Sequence, residues 1–312
     1  MTECALNAKP NEQGSCLSKD GIAEVVKHAS GNTLEEVKKN TNCDTDLCIL
    51  EAIDLPVNLK EKIKRESLKA PTASFDHNHW LNNTEVDSIM SQFRINYPGF
   101  AHGFIHMIDL KSYEPGNVKS FDYNVESVSK TDLPKEFKTG LIERRIIPEC
   151  ECNDHESILS TYKNVPLSSY GIICNTDDSS GSGQHWFCIF ISTDQKDPDD
   201  VSVPMIQIEL FNSGGGGSGN TDFDCFWVKQ ASKIARETGL KCIFKIVTTL
   251  KHQRPDTGNC GSYSLFYIYS RLRGVHPSHF NNPKKIISDH EMREFRKVCF
   301  TIDEDTSSFT LK

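Results

Sequence analysis

The 312-residue sequence predicts an α+β fold with a helical N-terminal arm, on three observations. Residues 1–71 carry helical spacing of apolar positions but no Phe, Tyr or Trp. In the last third, two apolar runs at 185–192 and 205–211 read as buried strands. Directly behind Cys260, the segment 261–272 has helical spacing, with Leu265, Ile268 and Leu272 on one face.

Taken in order, helices are expected over 21–28, 33–39 and 56–68, the second with Asn32-Thr33 as its capping pair. Pro71 closes this module and a polar stretch follows at 74–79, so the chain divides into an arm, 1–71, and a second unit, 72–312. Beyond Trp80 the pattern is mixed. Leu81-Asn82-Asn83-Thr84 leads into a helix over 85–93, and strands are expected at 104–110, 141–147 and 170–174. After the two apolar strands comes a Gly-rich stretch, 213–220, which composition marks as a flexible loop. A helix over 222–238 and a strand over 241–247 complete the elements before Cys260.

Composition narrows the function classes. A net charge of −8 and a pI near 5.8 argue against nucleic acid as the main partner. No apolar run reaches the roughly 18 residues that span a bilayer, and residues 1–10 lack the features of a signal peptide. Twelve cysteines without a secretory signal point to a reducing compartment and mostly free thiols. The sequon at Asn82 is then unused, and Cys43 and Cys48 serve arm packing. Cys150, Cys152 and His155 do not match a structural zinc spacing, so no metal and no cofactor are expected.

Four residue types at element ends suggest a thiol hydrolase. Cys260 opens a helix, where the N-terminal dipole favours a thiolate. His185 opens a strand and would take the thiol proton and return it to a leaving amine. Asn212 ends the next strand and would hold one ring nitrogen of His185. Gln253 precedes the cysteine and could donate to a developing oxyanion, with the Cys260 backbone N–H as second donor. The bland alternatives are a buried helix cysteine, a core histidine and a turn asparagine.

Trp80-Leu81-Asn82-Asn83, His185-Trp186, Asn212 and Gln253 with Cys260-Gly261 resemble the ubiquitin-like-protease clan, which includes the adenovirus and SUMO-specific proteases. Gly183-Gln184-His185-Trp186, the run 208–213, His252-Gln253-Arg254 and 262–268 are similar to the asfarvirus-type polyprotein-processing cysteine proteases. The resemblance implies a papain-like core of the adenovirus-protease/SUMO-protease type, with Trp186 over the substrate backbone. It further implies cleavage of viral structural polyproteins at Gly-Gly-X sites during virion maturation, in the virion and host cytoplasm. Two departures from the clan pattern stand out: Asn259 replaces an Asp before the cysteine, and the Gln253-to-Cys260 interval is one residue longer. The rival functions are a SUMO- or ubiquitin-like deconjugase and an inactive module that binds Gly-Gly tails.

Overall fold

The structure, a computed structural model, describes residues 4–6, 10–29, 31–76, 78–97, 99–102, 106–107, 168–177, 181–196, 204–238 and 240–302. The arm forms four short helices, α1 (Lys19–His28), α2 (Leu34–Thr41), α3 (Asp46–Ala52) and α4 (Val57–Ser67). Ser18, Thr33 and Thr45 cap the first three through their hydroxyls, and Asn42 ends α2 in the left-handed region. The sequence reading missed α3, whose seven residues give too little periodicity to register. With no aromatic residue available, the arm packs Leu34, Val37, Ile49, Leu50 and Ile63 into a small aliphatic cluster of its own.

That cluster is fastened to the rest of the chain. Leu6 is buried in the main core; its N–H donates to Gln92 Oε1 at 3.3 Å and its carbonyl accepts from Asn96 Nδ2 at 2.8 Å. β1 (Ala70–Thr72) pairs in parallel with β8 (Phe300–Ile302), so the arm's exit is stitched to the far end of the described chain. Cys4–Cys16 and Cys43–Cys48 form disulfides, which corrects the expectation of free thiols in the arm. Spacings of 12 and 5 residues in a helical module carry no local signature that separates a bridge from packed thiols.

The main sheet runs β2 (Phe100–His102), β4 (Ser169–Asn175), β5 (Trp186–Lys196), β6 (Pro204–Phe211), β7 (Cys242–Ile246), and β3 (His106–Met107) also pairs with β4. Its middle is antiparallel, β4 with β5 and β5 with β6, whereas β2 and β7 add in parallel at the two sides. Of the expected strand over 104–110 only His106–Met107 is described; the strand over 141–147, together with Cys150, Cys152 and His155, lies outside the described residues.

Both faces of this sheet are covered, which is why its strands read as continuous apolar runs. Phe187, Ile189 and Ile191 of β5 pack with β6 against α6 (Thr221–Thr238). Cys188 and Phe190 face the other way, toward α5 (Asn83–Asn96), α7 (Cys260–Leu272) and α8 (Asp289–Cys299). The α7 helix lies across β5 and β6, and this crossing brings the start of the helix to the ends of both strands.

Candidate active site

His185 sits at the mouth of a hairpin. β4 and β5 pair with Asn175 opposite Trp186, and Thr176 N–H donates to the His185 carbonyl at 2.9 Å. The turn is held by Asn175 Oδ1, which accepts from the N–H groups of Asp177 and Gln184, and by Asp177 Oδ2, which accepts from Gly183 N–H. Gly183 adopts φ +94°, a conformation open to glycine at little cost. The ring is thus delivered at a fixed point on the edge of β5.

Asn212 follows β6 and meets that ring. Its Oδ1 lies 2.8 Å from His185 Nε2 and also accepts from Gly214 N–H at 2.8 Å, while its Nδ2 donates to the Gly217 carbonyl at 2.8 Å. These partners fix the amide orientation, so Nε2 carries the ring hydrogen and Nδ1 keeps a lone pair free to accept a proton. The Gly-rich segment does the fixing, and this corrects the expectation that 213–220 is flexible. Gly215 at φ +83° leaves no room for a Cβ, which would sit 2.7 Å from the Thr249 carbonyl. Glycine is used here for close backbone approach, and Gly216 N–H and Ser218 N–H are bonded to Thr248 O and Asp224 Oδ1.

Cys260 begins α7 and is buried. The backbone N–H groups of Trp186, the residue after His185, and of Gly261 favour its thiolate. Burial pushes the thiol pKa up, against the pull of those N–H groups and of the Arg296 charge. Burial likewise pushes His185 down, with the Asn212 hydrogen bond opposing it. Both shifts favour a neutral thiol and a neutral imidazole at rest.

Gln253 reaches the same place through Ser213. Its N–H donates to the Ser213 carbonyl at 3.1 Å, its Oε1 accepts from Ser213 Oγ at 2.7 Å, and its Nε2 donates to the Thr257 carbonyl at 2.6 Å. One hydrogen on Nε2 remains, on a side chain whose orientation is set by two bonds. The longer interval before Cys260 is organised by Asp289, a residue the sequence reading passed over. Its carboxylate accepts from Arg254 N–H, Thr257 Oγ1 and Asn259 Nδ2 at 3.1, 2.9 and 2.8 Å. This explains Asn259: an Asp at that position would face a second carboxylate, whereas the amide supplies a donor.

Trp186 is 4% exposed and donates from Nε1 to the Leu81 carbonyl at 3.0 Å. Its edge meets Gly261, where a Cβ would come within 3.3 Å of Cδ1. Trp80 is the accessible indole, 46% exposed, and lies so close over Gly258 that a Cβ there would be 2.4 Å from it. Between them opens a cavity of about 420 Å³ lined also by Leu81, Thr84, Asn175 and Gly183.

Behind the site a buried ion pair fixes the register of α7 on β6. Glu209, three residues before Asn212, accepts from Arg271 Nε at 2.8 Å, Tyr267 Oη at 2.5 Å and Gln207 Nε2 at 2.6 Å. Tyr267 and Arg271 lie on the helix that starts at Cys260, so this network ties the two element ends together. Among the described residues no cluster of His, Cys, Asp and Glu could hold a metal, and no helix is long and apolar enough to cross a membrane.

No family model matches the chain. It is 25% identical over 312 residues to a cysteine protease of African swine fever virus, covering 96% of each. It is 24% identical, with the same coverage, to a protein of another isolate of that virus named a SUMO-1 cysteine protease. In three dimensions it is similar to the crystal structure of the African swine fever virus protease, with a TM-score of 0.60, 23% identity and 96% of each chain covered. The shared mixed α and β architecture is the one expected from the sequence.

Proposed function

We propose that this chain, a viral cysteine protease of the ubiquitin-like-protease type, cuts after Gly-Gly in structural polyproteins through Cys260, His185 and Asn212. The observation that carries the assignment is the convergence of three element ends. Asn212 Oδ1 holds His185 Nε2 at 2.8 Å, and the backbone N–H of Trp186, the residue next to that histidine, acts on the Cys260 thiol. In this reading His185 Nδ1 takes the thiol proton as sulfur attacks the scissile carbonyl, because a neutral pair at rest favours transfer concerted with attack. The oxyanion accepts from Gln253 Nε2 and Cys260 N–H. Collapse breaks the C–N bond, and His185 returns the proton to the leaving amine. Water, deprotonated by His185, then attacks the thioester carbonyl and releases the acid and the thiol.

Trp80 and Trp186 line one cavity. In this reading the substrate backbone passes there, where a passage between two indoles would favour residues without a side chain, in keeping with a Gly-Gly preference. The arm, residues 1–71, would extend the surface that grips a folded polyprotein. We assign the protein to the virion and host cytoplasm. Deconjugation of a SUMO-like protein is the second reading, supported by the name of the relative above and by the same tail chemistry. Incubation with a Gly-Gly-X peptide, a SUMO conjugate and a thiol-reactive Gly-Gly probe separates the readings. Peptide cleavage with sequenced Gly-Gly ends supports the first. Cleavage of the conjugate alone supports the second, and probe binding without turnover would leave only a binding module.

A further inference from the structure

We propose that Arg296 is a positioning residue of this site: one guanidinium fixes the Trp80 wall and the nucleophile loop together and holds a positive charge beside Cys260. The inference rests on the reading of Cys260 as nucleophile. Arg296 lies on α8 with no exposed surface and is the largest fully buried side chain among the described residues. Its Nε donates to Ser262 Oγ at 2.6 Å and its Nη2 to the Gly258 carbonyl at 3.1 Å. Those partners lie two residues to either side of Cys260. Its remaining bonds run to the Asp76 carbonyl at 3.0 Å and the His79 carbonyl at 2.6 Å, in the segment that delivers Trp80.

Each of these acceptors is neutral, and among the described residues no carboxylate touches the guanidinium. A buried charge without a touching counter-ion is expensive, and a fold that needed only a tie between loops could use a neutral donor. The planar fork explains the four-way grip, since no other side chain presents five donors in one plane. The charge calls for a second explanation, and the thiolate character that develops on the Cys260 sulfur as its proton leaves supplies one. Burial opposes that thiolate, and the Arg296 charge favours it. Although burial brings Arg296 down to about 10, it stays protonated at neutral pH.

The surrounding charges are accounted for. Glu85 on α5 is engaged by His79 Nε2 at 3.1 Å and by Asn82 N–H, and contributes a negative field to Arg296. Asp76 adds to that field, and Asp289, on the same face of α8, is occupied by the 254–259 loop. His185 is held by Asn212, and burial favours its neutral form. Among the described residues, Arg296 is thus the cation that acts on the Cys260 thiol.

The test follows alkylation of Cys260 by iodoacetamide as a function of pH in the full-length protein, read by mass spectrometry of the Cys260 peptide. Arg296→Gln should raise the midpoint by about one pH unit. It should also lower kcat/KM at pH 7 by about tenfold, with KM little changed. Arg296→Lys keeps the charge and loses most of the fork, so its midpoint should stay native while its Tm falls. An unmoved midpoint in folded Arg296→Gln, or a Lys variant displaced as far as the Gln variant, overturns the proposal. Failure of both variants to fold would assign Arg296 to structure alone and overturn it equally. Turnover that survives complete alkylation of Cys260 in the native protein would instead sink the nucleophile assignment.

Discussion

Gly258→Ala tests whether the Trp80 wall sets the geometry of the cut. A Cβ at this position would lie 2.4 Å from Trp80 Cδ1, 2.8 Å from Nε1 and 2.9 Å from the Asn78 carbonyl, where ordinary contact begins near 3.4 Å. The indole must therefore retreat by roughly 1 Å, and it can, because Trp80 is 46% exposed. A displacement of about that size at a substrate-positioning group can cost on the order of 10²-fold in rate. We expect kcat/KM on a Gly-Gly-X peptide to fall by about that factor, while the unfolding free energy changes by less than about 1 kcal/mol. The assay is a double-mutant cycle with Trp80→Ala, which removes the two nearest clashes and leaves only the 2.9 Å approach to the Asn78 carbonyl. In the Trp80→Ala protein, Gly258→Ala should therefore add a much smaller further loss, giving coupling between the two sites. Equal losses with and without the indole would refute the reasoning, placing the damage instead in the Gly258 carbonyl that Arg296 holds.

Cys260→Ala and His185→Ala should each abolish peptide turnover with the fold intact by circular dichroism, since the pair works as a unit; substantial activity in purified Cys260→Ala would sink the mechanism. Asn212→Ala should be milder, and Asn212→Asp should keep much activity because a carboxylate accepts the same His185 hydrogen; an Asp variant as dead as Cys260→Ala would remove Asn212 from the orienting role. Gln253→Ala should lower kcat by about 10²-fold with little change in KM, and a change confined to KM would make Gln253 a substrate contact. Glu209→Ala leaves Arg271 buried without its carboxylate and should cost about 3–5 kcal/mol in urea denaturation, whereas a loss below about 1 kcal/mol would show that water or a rearranged Arg271 replaces the pair.

What was legible in the sequence was what repeats locally or stands at an element end. The apolar runs of β5 and β6 announced themselves because strands covered on both faces have no polar alternation to confuse with a helix. His185, Asn212 and Cys260 could be picked out because each punctuates such a run, and the structure does bring Asn212 onto the His185 ring. Composition misled where glycine was concerned. The 213–220 loop looks like a linker in isolation, yet Gly215 is glycine because a Cβ would strike the Thr249 carbonyl, a contact 34 positions away that no local pattern encodes. The supports of the site were invisible for the same reason. Asp289 and Arg296 lie seven apart on one face of an otherwise ordinary amphipathic helix, and their partners come from 76–79 and 254–262. Nothing in α8 alone distinguishes them from solvated charges, which is the usual fate of Asp and Arg on a surface helix. The one trace they left was Asn259, an amide where the clan pattern expects an acid. An acid there would have faced Asp289; the amide donates to it instead, so that departure from the pattern marks the position that meets the helix carboxylate.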